Sequence, residues 1–208
     1  MEPATLETLL LDLVNRRVLK SKRILDAFRN VDRKEFMPSR LKNLAYRNRP
    51  FGIGNGQTIS QPSVVALMLE LLQPQEGEKI LDVGSGSGWT TALLSELVGS
   101  NGKVIAIERI SNLKNFGETN VNKYDFIERK IAQFVLADGK NGFPNEAPFD
   151  KILCSAEANK VPLAWKEQLK IGGKIVTPIG HSICLWTKTS KKHFKKTEDY
   201  GFQFVPLV

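Results

Sequence analysis

The chain has 208 residues, of which 41% are apolar, and this is enough for one domain with a sizeable core. No apolar run is long enough to span a bilayer, and the N-terminus lacks a basic segment followed by an apolar one, so we expect neither a membrane span nor a secretory signal. Cys154 and Cys184 lie within apolar runs, which indicates reduced core residues of a cytoplasmic protein, and the two histidines have no cluster of metal ligands around them.

The net charge of +8 raises nucleic acid as a partner, with RNA at the basic flanks as one interpretation of its distribution and a solvated surface as the other. Residues 61–180 are nearly neutral, and the basic excess lies in residues 1–60 and 181–208. A solvated basic surface accounts for this pattern. The lysine-rich run 188–196 is predicted to form an exposed hairpin or loop, with RNA contact as the alternative.

Two amphipathic helices are predicted at the start of the chain. The first has Thr5 as its N-cap and runs to Val18. The second has Ser21 as its N-cap and ends before Pro38, which cannot continue a helix. With a further short helix predicted over residues 41–46, these elements form a helical N-terminal extension.

Residues 49–62 are predicted to form an irregular loop because they contain three glycines and two prolines. Pro62 suits the first turn of the apolar helix that follows. The loop therefore ends at a helix N-terminus, whose free N–H groups and positive dipole end favour an anion. Ser60 places a hydroxyl there, which either helps to bind an anion or only caps the helix.

Strands and helices alternate from residue 79 to the C-terminus. The predicted strands are 79–83, 103–108, 131–139, 149–156, 174–178, 183–187 and 202–208. The predicted helices are 89–98, 111–122 and 161–169, with 111–122 weakened by Gly117 and a turn expected at 170–173. This pattern predicts an α/β fold, a doubly wound, mostly parallel, seven-stranded Rossmann-like sheet. We expect one domain over residues 1–208, with the extension and loop in 1–61 and the core in 62–208.

The first of these strands runs into a glycine-rich turn. Asp82 is followed by Gly84, Gly86 and Gly88, and glycines without Cβ atoms let a ligand approach the backbone closely. The spacing is neither the dinucleotide motif, because Trp89 stands at its sixth position, nor a P-loop. A carboxylate ahead of the glycines suits a ligand with cationic and hydroxyl groups, such as S-adenosylmethionine. An ordinary tight turn is the alternative.

Acidic residues end two further strands. Glu108 lies 20 residues beyond Gly88, a spacing that places an acid within reach of a ribose held at the glycine turn. Asp138 ends the third strand at the same edge of the sheet. Three strand ends therefore point to one crevice, although a solvated Glu108 is the alternative.

These residues resemble a known class. Leu81–Gly88, Glu108 and Asp138-Gly139 are similar to the S-adenosylmethionine-dependent methyltransferases of the Rossmann-like class. The loop Gly54–Pro62 is more specific and resembles the signature of the protein-L-isoaspartate O-methyltransferase family. Further segments resemble the same family in order along nearly the whole chain: 32–38, 147–150, 168–173, 177–180 and 204–207.

The resemblance implies repair of damaged proteins. It implies methyl transfer from S-adenosylmethionine, which becomes S-adenosyl-L-homocysteine, to the α-carboxylate of an L-isoaspartyl residue, without a metal. The ester then closes to a succinimide, which hydrolyses partly to normal aspartate. Ser60 would be the active-site serine, and a monomer is expected. The implied cofactor-binding residues are Gln57, Thr58, Ile59, Asp82, Gly84, Ser85, Gly86, Gly88, Glu108, Arg109, Asp138 and Gly139.

Three positions depart from the family pattern. Ser63 stands where the family usually has His, Trp89 replaces Tyr, and Glu157 lies in a segment where the family tends to have small neutral residues. These departures concern substrate affinity more than the fold. The rival hypotheses are a methyltransferase that acts on RNA or a small molecule, and an inactive cofactor-binding module.

Overall fold

The computed structural model describes residues 5–207. The α-helices are α1 (Leu6–Asn15), α2 (Lys22–Asn30), α3 (Pro62–Leu72), α4 (Trp89–Val98), α5 (Ser111–Asn122) and α6 (Leu163–Gln168). The strands are β1 (Phe51–Gly54), β2 (Gln57–Ile59), β3 (Lys79–Val83), β4 (Lys103–Glu108), β5 (Ala132–Leu136), β6 (Phe149–Cys154), β7 (Leu169–Ile179), β8 (Ser182–Lys188) and β9 (Phe194–Tyr200). Short 3-10 helices occupy Arg33–Phe36, Ser39–Leu44, Gly139–Asn141 and Pro144–Glu146.

The larger sheet has seven strands in the order β5-β4-β3-β6-β7-β8-β9. Strands β3 to β7 are parallel, and β8 and β9 add an antiparallel end. The chain moves outward from β3 to β5 and then returns to place β6 beside β3. This reversal opens a crevice at the carboxyl end of β3, where ligands of such sheets bind. The predicted mostly parallel, seven-stranded sheet is confirmed.

Successive side chains of β3 and β4 point to opposite faces of the sheet, as the two-residue period of a strand requires. Ile80 and Val104 join a cluster that includes the buried faces of α1 to α4. Leu81 and Ile105 join a second cluster that includes Trp165 of α6. Because both faces are covered, the strands are apolar runs without alternation, and each fully buried aliphatic side chain contributes about 1.5–3 kcal/mol.

The N-terminal extension packs on the first of these clusters. Thr5 caps α1 through a capping box with Thr8, as expected. Ser21 is the N-cap residue of α2, as expected, but its hydroxyl donates to Glu70 Oε2 at 2.7 Å and makes no capping hydrogen bond. No helix within residues 5–207 has the length and apolar character needed to cross a membrane.

Helix α5 has the predicted bounds, and Gly117 has a packing reason to be there. A Cβ on Gly117 would lie 2.8 Å from the carbonyl oxygen of Gly86, and one on Gly88 would lie 2.6 Å from that of Gly117. These contacts are closer than carbon allows. The two glycines therefore let α5 approach the turn that follows β3, and this approach outweighs the low helix propensity of glycine.

Three local expectations are wrong. The loop 49–62 contains the antiparallel pair β1–β2, joined by a turn with Asn55 at φ +51°. Residues 170–173 are a bulge within β7, since pairing with β6 passes from Leu169 to Lys174. The outermost strand is β9 rather than 202–208: within 202–207 only Pro206 makes a bridge, and Val208 lies outside the described residues. The run 188–196 forms the β8–β9 hairpin, as predicted.

Candidate active site

A glycine turn connects β3 to α4 and presents its backbone to the crevice. Gly84 and Gly86 have φ of +75° and +50°, in the region that favours glycine. The N–H groups of Gly84 and Ser85 donate to the carbonyl oxygen of Ile107 at 2.9 and 3.1 Å. These bonds tie the turn to the end of β4, so the two strand ends form one surface.

The turn borders an open cleft at the carboxyl edge of the sheet, where ligands of such sheets bind. The predicted site residues that line it are Gln57, Thr58, Ile59, Ser60, Gly84, Ser85, Gly86, Glu108, Arg109 and Gly139. The cleft therefore brings the glycine turn, the end of β4 and the loop before α3 together, although they are far apart in the chain.

Glu108 has a defined orientation at the cleft wall. Its side chain is buried, and its Oε2 and Oε1 accept the N–H groups of Gly86 and Ile110, both at 3.0 Å. These bonds pin both oxygens while leaving further lone pairs for a ligand. A carboxylate so placed can accept hydrogen bonds from the hydroxyls of a ribose.

Asp82 lies beneath the glycine turn and is fully buried. Burial raises the pKa of Asp82 from 3.8 to about 7, and the charge of Glu108 adds to this, while the hydrogen bond from Thr91 opposes it. The Thr91 hydroxyl lies 2.6 Å from Oδ2. Within residues 5–207, Oδ1 of Asp82 and Oγ of Ser85 are buried without a hydrogen-bond partner.

Three predicted cofactor residues lie outside the cleft lining. Asp82 is beneath it, Gly88 faces Gly117 of α5, and Asp138 is exposed at the rim, where its Oδ1 accepts the N–H of Lys140 at 2.9 Å. Gly139 does line the cleft. A Cβ at Gly139 would lie 2.4 Å from Cγ1 of Val83, so a larger residue there would have to displace that side chain. The roles of Ser60 and of the twelve predicted cofactor-binding residues stay predictions.

Ser60 is half-buried at the other side of the cleft. The N-cap position of α3 is Gln61, and the first-turn N–H of Ser63 donates to Oδ1 of Asn48 at 3.0 Å. Within the described residues the hydroxyl of Ser60 makes no hydrogen bond to that helix, so it is not used as a cap. The carbonyl oxygen of Ser60 accepts a hydrogen bond from Nη2 of Arg33 at 3.0 Å. The alternative that Ser60 only caps the helix is therefore wrong.

Arg33 is a buried cation that the sequence interpretation missed. Within the described chain its hydrogen bonds all go to carbonyl oxygens, namely those of Ala45, Arg47, Arg49 and Ser60. Burial lowers the pKa of Arg33 to about 9, so the guanidinium remains charged at neutral pH. No local pattern reveals such a role, because the four acceptors are backbone atoms of distant residues.

The C-terminal segment closes one side of the cleft. The N–H of Glu157 donates to the carbonyl of Val205 at 2.8 Å, and the N–H of Leu207 donates to the carbonyl of Glu157 at 2.7 Å. Val205, Pro206 and Leu207 thereby join the lining. This segment was expected to be a sheet strand, and it instead supplies an apolar wall.

The cleft fits an adenosyl group with an amino-acid tail. Ser85 has a buried hydroxyl free to pair with a polar ligand group, and Glu108 presents carboxylate oxygens that can accept further hydrogen bonds. Ile107 and Val205 supply apolar surface for a ring. No group of three or more His, Cys, Asp or Glu within residues 5–207 is arranged to hold a metal ion.

Comparison with known proteins identifies the family. The family model described as protein-L-isoaspartate(D-aspartate) O-methyltransferase matches residues 4–208. The chain belongs to the protein-L-isoaspartate O-methyltransferase family. It is therefore a methyltransferase, as the sequence predicted.

Relatives and solved structures agree. The chain is 43% identical over 196 residues to a protein-L-isoaspartate O-methyltransferase of Methanopyrus kandleri, covering 91% of this chain and 85% of the relative. It is 42% identical over 195 residues to that of Aeropyrum pernix, covering 92% and 74%. A Plasmodium falciparum protein assigned to the same activity, crystallised with S-adenosyl-L-homocysteine, superposes with a TM-score of 0.86 at 25% identity, covering 97% of each chain.

The departures from the family pattern occupy different places. Trp89 lines the cleft, and its Nε1 donates to the carbonyl of Val31 at 3.3 Å. The N–H of Ser63 donates to Oδ1 of Asn48 at 3.0 Å, and the side chain of Glu157 is half-buried. Ser63 and Glu157 are not part of the cleft lining. Of the three, only Trp89 is placed to contact a ligand in the cleft.

Proposed function

We propose that the chain methylates the α-carboxylate of L-isoaspartyl residues in damaged proteins, with S-adenosylmethionine as donor and Ser60 as the residue that positions the carboxylate. Family membership over residues 4–208 carries this proposal. The cleft supports it, because Ser60 and the glycine turn line the same cavity.

The cofactor is assigned to the wall formed by the glycine turn. Glu108 would hold the ribose, Gly84 to Gly86 would pass close to the methionine part, and Gly139 with Asp138 would flank the adenine. Gln57 to Ile59 and Arg109 would complete the contacts. When bound, S-adenosylmethionine supplies an electrophilic methyl group on a sulfonium.

The residues of the chain have to supply position rather than acid–base chemistry. A carboxyl with an ordinary pKa near 4 is already ionised at neutral pH, so the nucleophile needs no general base. The Ser60 hydroxyl can donate one hydrogen bond to the carboxylate and so set its direction. It must not hold the anion too tightly, since methylation removes the charge that it binds.

Exclusion of water is the second contribution. Ile59, Ile107, Val205 and Leu207 present apolar surface to the cleft. Water stabilises separate charges, and methyl transfer from a sulfonium to a carboxylate neutralises both. A cleft with little water therefore favours the reaction.

The test is methyl transfer to a peptide with one isoaspartate. We expect a product that releases methanol at mildly alkaline pH, because a methyl ester is base-labile. The matched control is the same peptide with normal aspartate, which should gain no methyl group. Equal methylation of both peptides, or alkali-stable methylation of RNA, would support the rival methyltransferase, and failure to bind S-adenosylmethionine in calorimetry would support the inactive module.

Partner, assembly and location remain part of the proposal. We retain the predictions of a monomer in the cytoplasm that does not bind nucleic acid. We also retain one domain over residues 1–208, divided into 1–61 and 62–208. Packing of α1 and α2 onto the sheet cluster supports a single domain.

A further inference from the structure

Arg33 is buried to 1% exposure at the junction between the N-terminal extension and the cleft. Its Nη1 donates to the carbonyls of Ala45 and Arg47, at 2.7 and 3.3 Å. Its Nη2 donates to those of Arg49 and Ser60, both at 3.0 Å. One planar side chain thus connects the segment 45–49 to Ser60, two residues before α3.

The faces of the guanidinium are also occupied. The Cζ atom of Arg33 lies 5.6 Å from the ring centre of Phe51 and 5.4 Å from that of Trp89. Phe51 belongs to β1, which pairs with β2 next to Ser60. Trp89 begins α4 and lines the cleft beside the glycine turn. Arg33 therefore touches both sides of the cleft without lining it.

We infer that Arg33 is a positioning residue for methyl transfer, which holds Ser60 at a set distance from Trp89 and the glycine turn. This inference rests on the proposed function, because it takes Ser60 as the residue that orients the substrate. Its physical basis is that a guanidinium offers several donors in one rigid plane and two stacking faces. Lysine offers a point charge on a flexible stem and cannot hold the same four carbonyls.

Misplacement of a reacting group by about 1 Å can cost ~100-fold in rate, so loss of this anchor should reduce turnover. We expect Arg33→Lys to lower kcat on the isoaspartyl peptide ~10-fold or more, and Arg33→Met to lower it further. Affinity for S-adenosyl-L-homocysteine should change less than about threefold, because Glu108 and the Gly86 N–H hold the glycine turn independently.

Lys188 provides a matched control. It is also a buried cation whose Nζ donates to backbone carbonyls, those of Lys166 and Leu169, at 2.5 and 2.7 Å. It also lies 5.9 Å from an aromatic ring, that of Phe194, and it is not part of the cleft lining. Lys188→Met should lose stability as Arg33→Met does, and it should keep the wild-type kcat when assayed well below its Tm.

Hydrogen exchange gives a readout that does not need activity. In Arg33→Lys the amides of residues 57–61 should exchange faster than in wild type, while Lys188→Met leaves them unchanged. If folded Arg33→Lys keeps kcat within twofold of wild type, or if Lys188→Met loses kcat equally, the positioning role is refuted. If wild type itself does not methylate the isoaspartyl peptide, the proposed function fails, and unchanged exchange in Arg33→Lys would refute the anchor separately.

Discussion

The two walls of the cleft are held in different ways. The cofactor wall, residues 83–90 and 107–110, is tied by bonds between the ends of two adjacent strands, such as Gly84 N–H to Ile107 O at 2.9 Å. The substrate wall, at Ser60, is held by a buried side chain from elsewhere, since Arg33 anchors the carbonyl of Ser60 at 3.0 Å. The cofactor wall is part of the sheet itself, whereas the substrate wall is held in place by the side chain of Arg33.

This difference indicates that the two walls can be altered separately. A change in the cofactor wall should act on cofactor affinity or on the stability of the sheet. A change in the substrate wall should act on turnover. Variants that affect both properties equally would show that the walls are coupled more tightly than their contacts indicate.

The largest expected effect is on stability, from the buried carboxyl under the cofactor wall. The pKa of Asp82 is about 7 when folded and 3.8 ordinarily, so the folded state holds its proton between these values and stability falls as pH rises from about 4 to 7. Asp82→Asn avoids this loss. Without cofactor, it should be more stable than wild type at pH 8 by up to roughly 4 kcal/mol, with the difference vanishing near pH 4.

Urea unfolding of both proteins from pH 4 to 8 measures this difference. Because the other titrating groups are the same in both proteins, their contributions to the free energy of unfolding cancel in the difference. A difference that does not vary with pH would contradict a raised pKa for Asp82.

Glu108→Ala should have the next largest effect, confined to the cofactor wall. It removes the acceptor for the N–H groups of Gly86 and Ile110 and the proposed ribose contact. Affinity for S-adenosyl-L-homocysteine should fall by about 1–3 kcal/mol, the scale for hydrogen bonds to a charged group. Calorimetry gives this value, and a change of only a few tenths would mean that Glu108 does not contact the ligand.

Ser60→Ala should act on the substrate wall alone. Turnover of the isoaspartyl peptide should fall about tenfold, as expected for one orienting hydrogen bond, with nearly unchanged affinity for S-adenosylmethionine. Steady-state kinetics and calorimetry on the same preparation test both parts. Turnover equal to that of wild type would mean that Ser60 does not position the substrate carboxylate.

Asp138→Ala should have the smallest effect. Asp138 is exposed at the cleft rim and its Oδ1 already accepts the Lys140 N–H. We expect a loss of less than about 1 kcal/mol in cofactor affinity, because an exposed hydrogen bond competes with water. A loss as large as that of Glu108→Ala would place Asp138 inside the site.

Sequence patterns predicted the cofactor wall well because each of its elements is specified by residues that are close together in the sequence. The strand from Lys79 to Val83, the helix from Trp89 to Val98 and the end of β4 at Glu108 all occur where predicted. The substrate wall was predicted less well. The expected irregular loop forms the pair β1–β2, whose strands depend on cross-strand bonds that composition does not reveal.

The sequence alone was sufficient for the parallel sheet, the glycine turn and the family, because apolar runs and glycine spacing act over a few residues. Only the tertiary structure showed how the cleft is closed and anchored. Arg33 reaches Ser60 through backbone carbonyls, and Val205 to Leu207 join the wall through bonds to Glu157. Every residue has a backbone carbonyl whatever its side chain, so hydrogen bonds to these acceptors leave no pattern in the sequence.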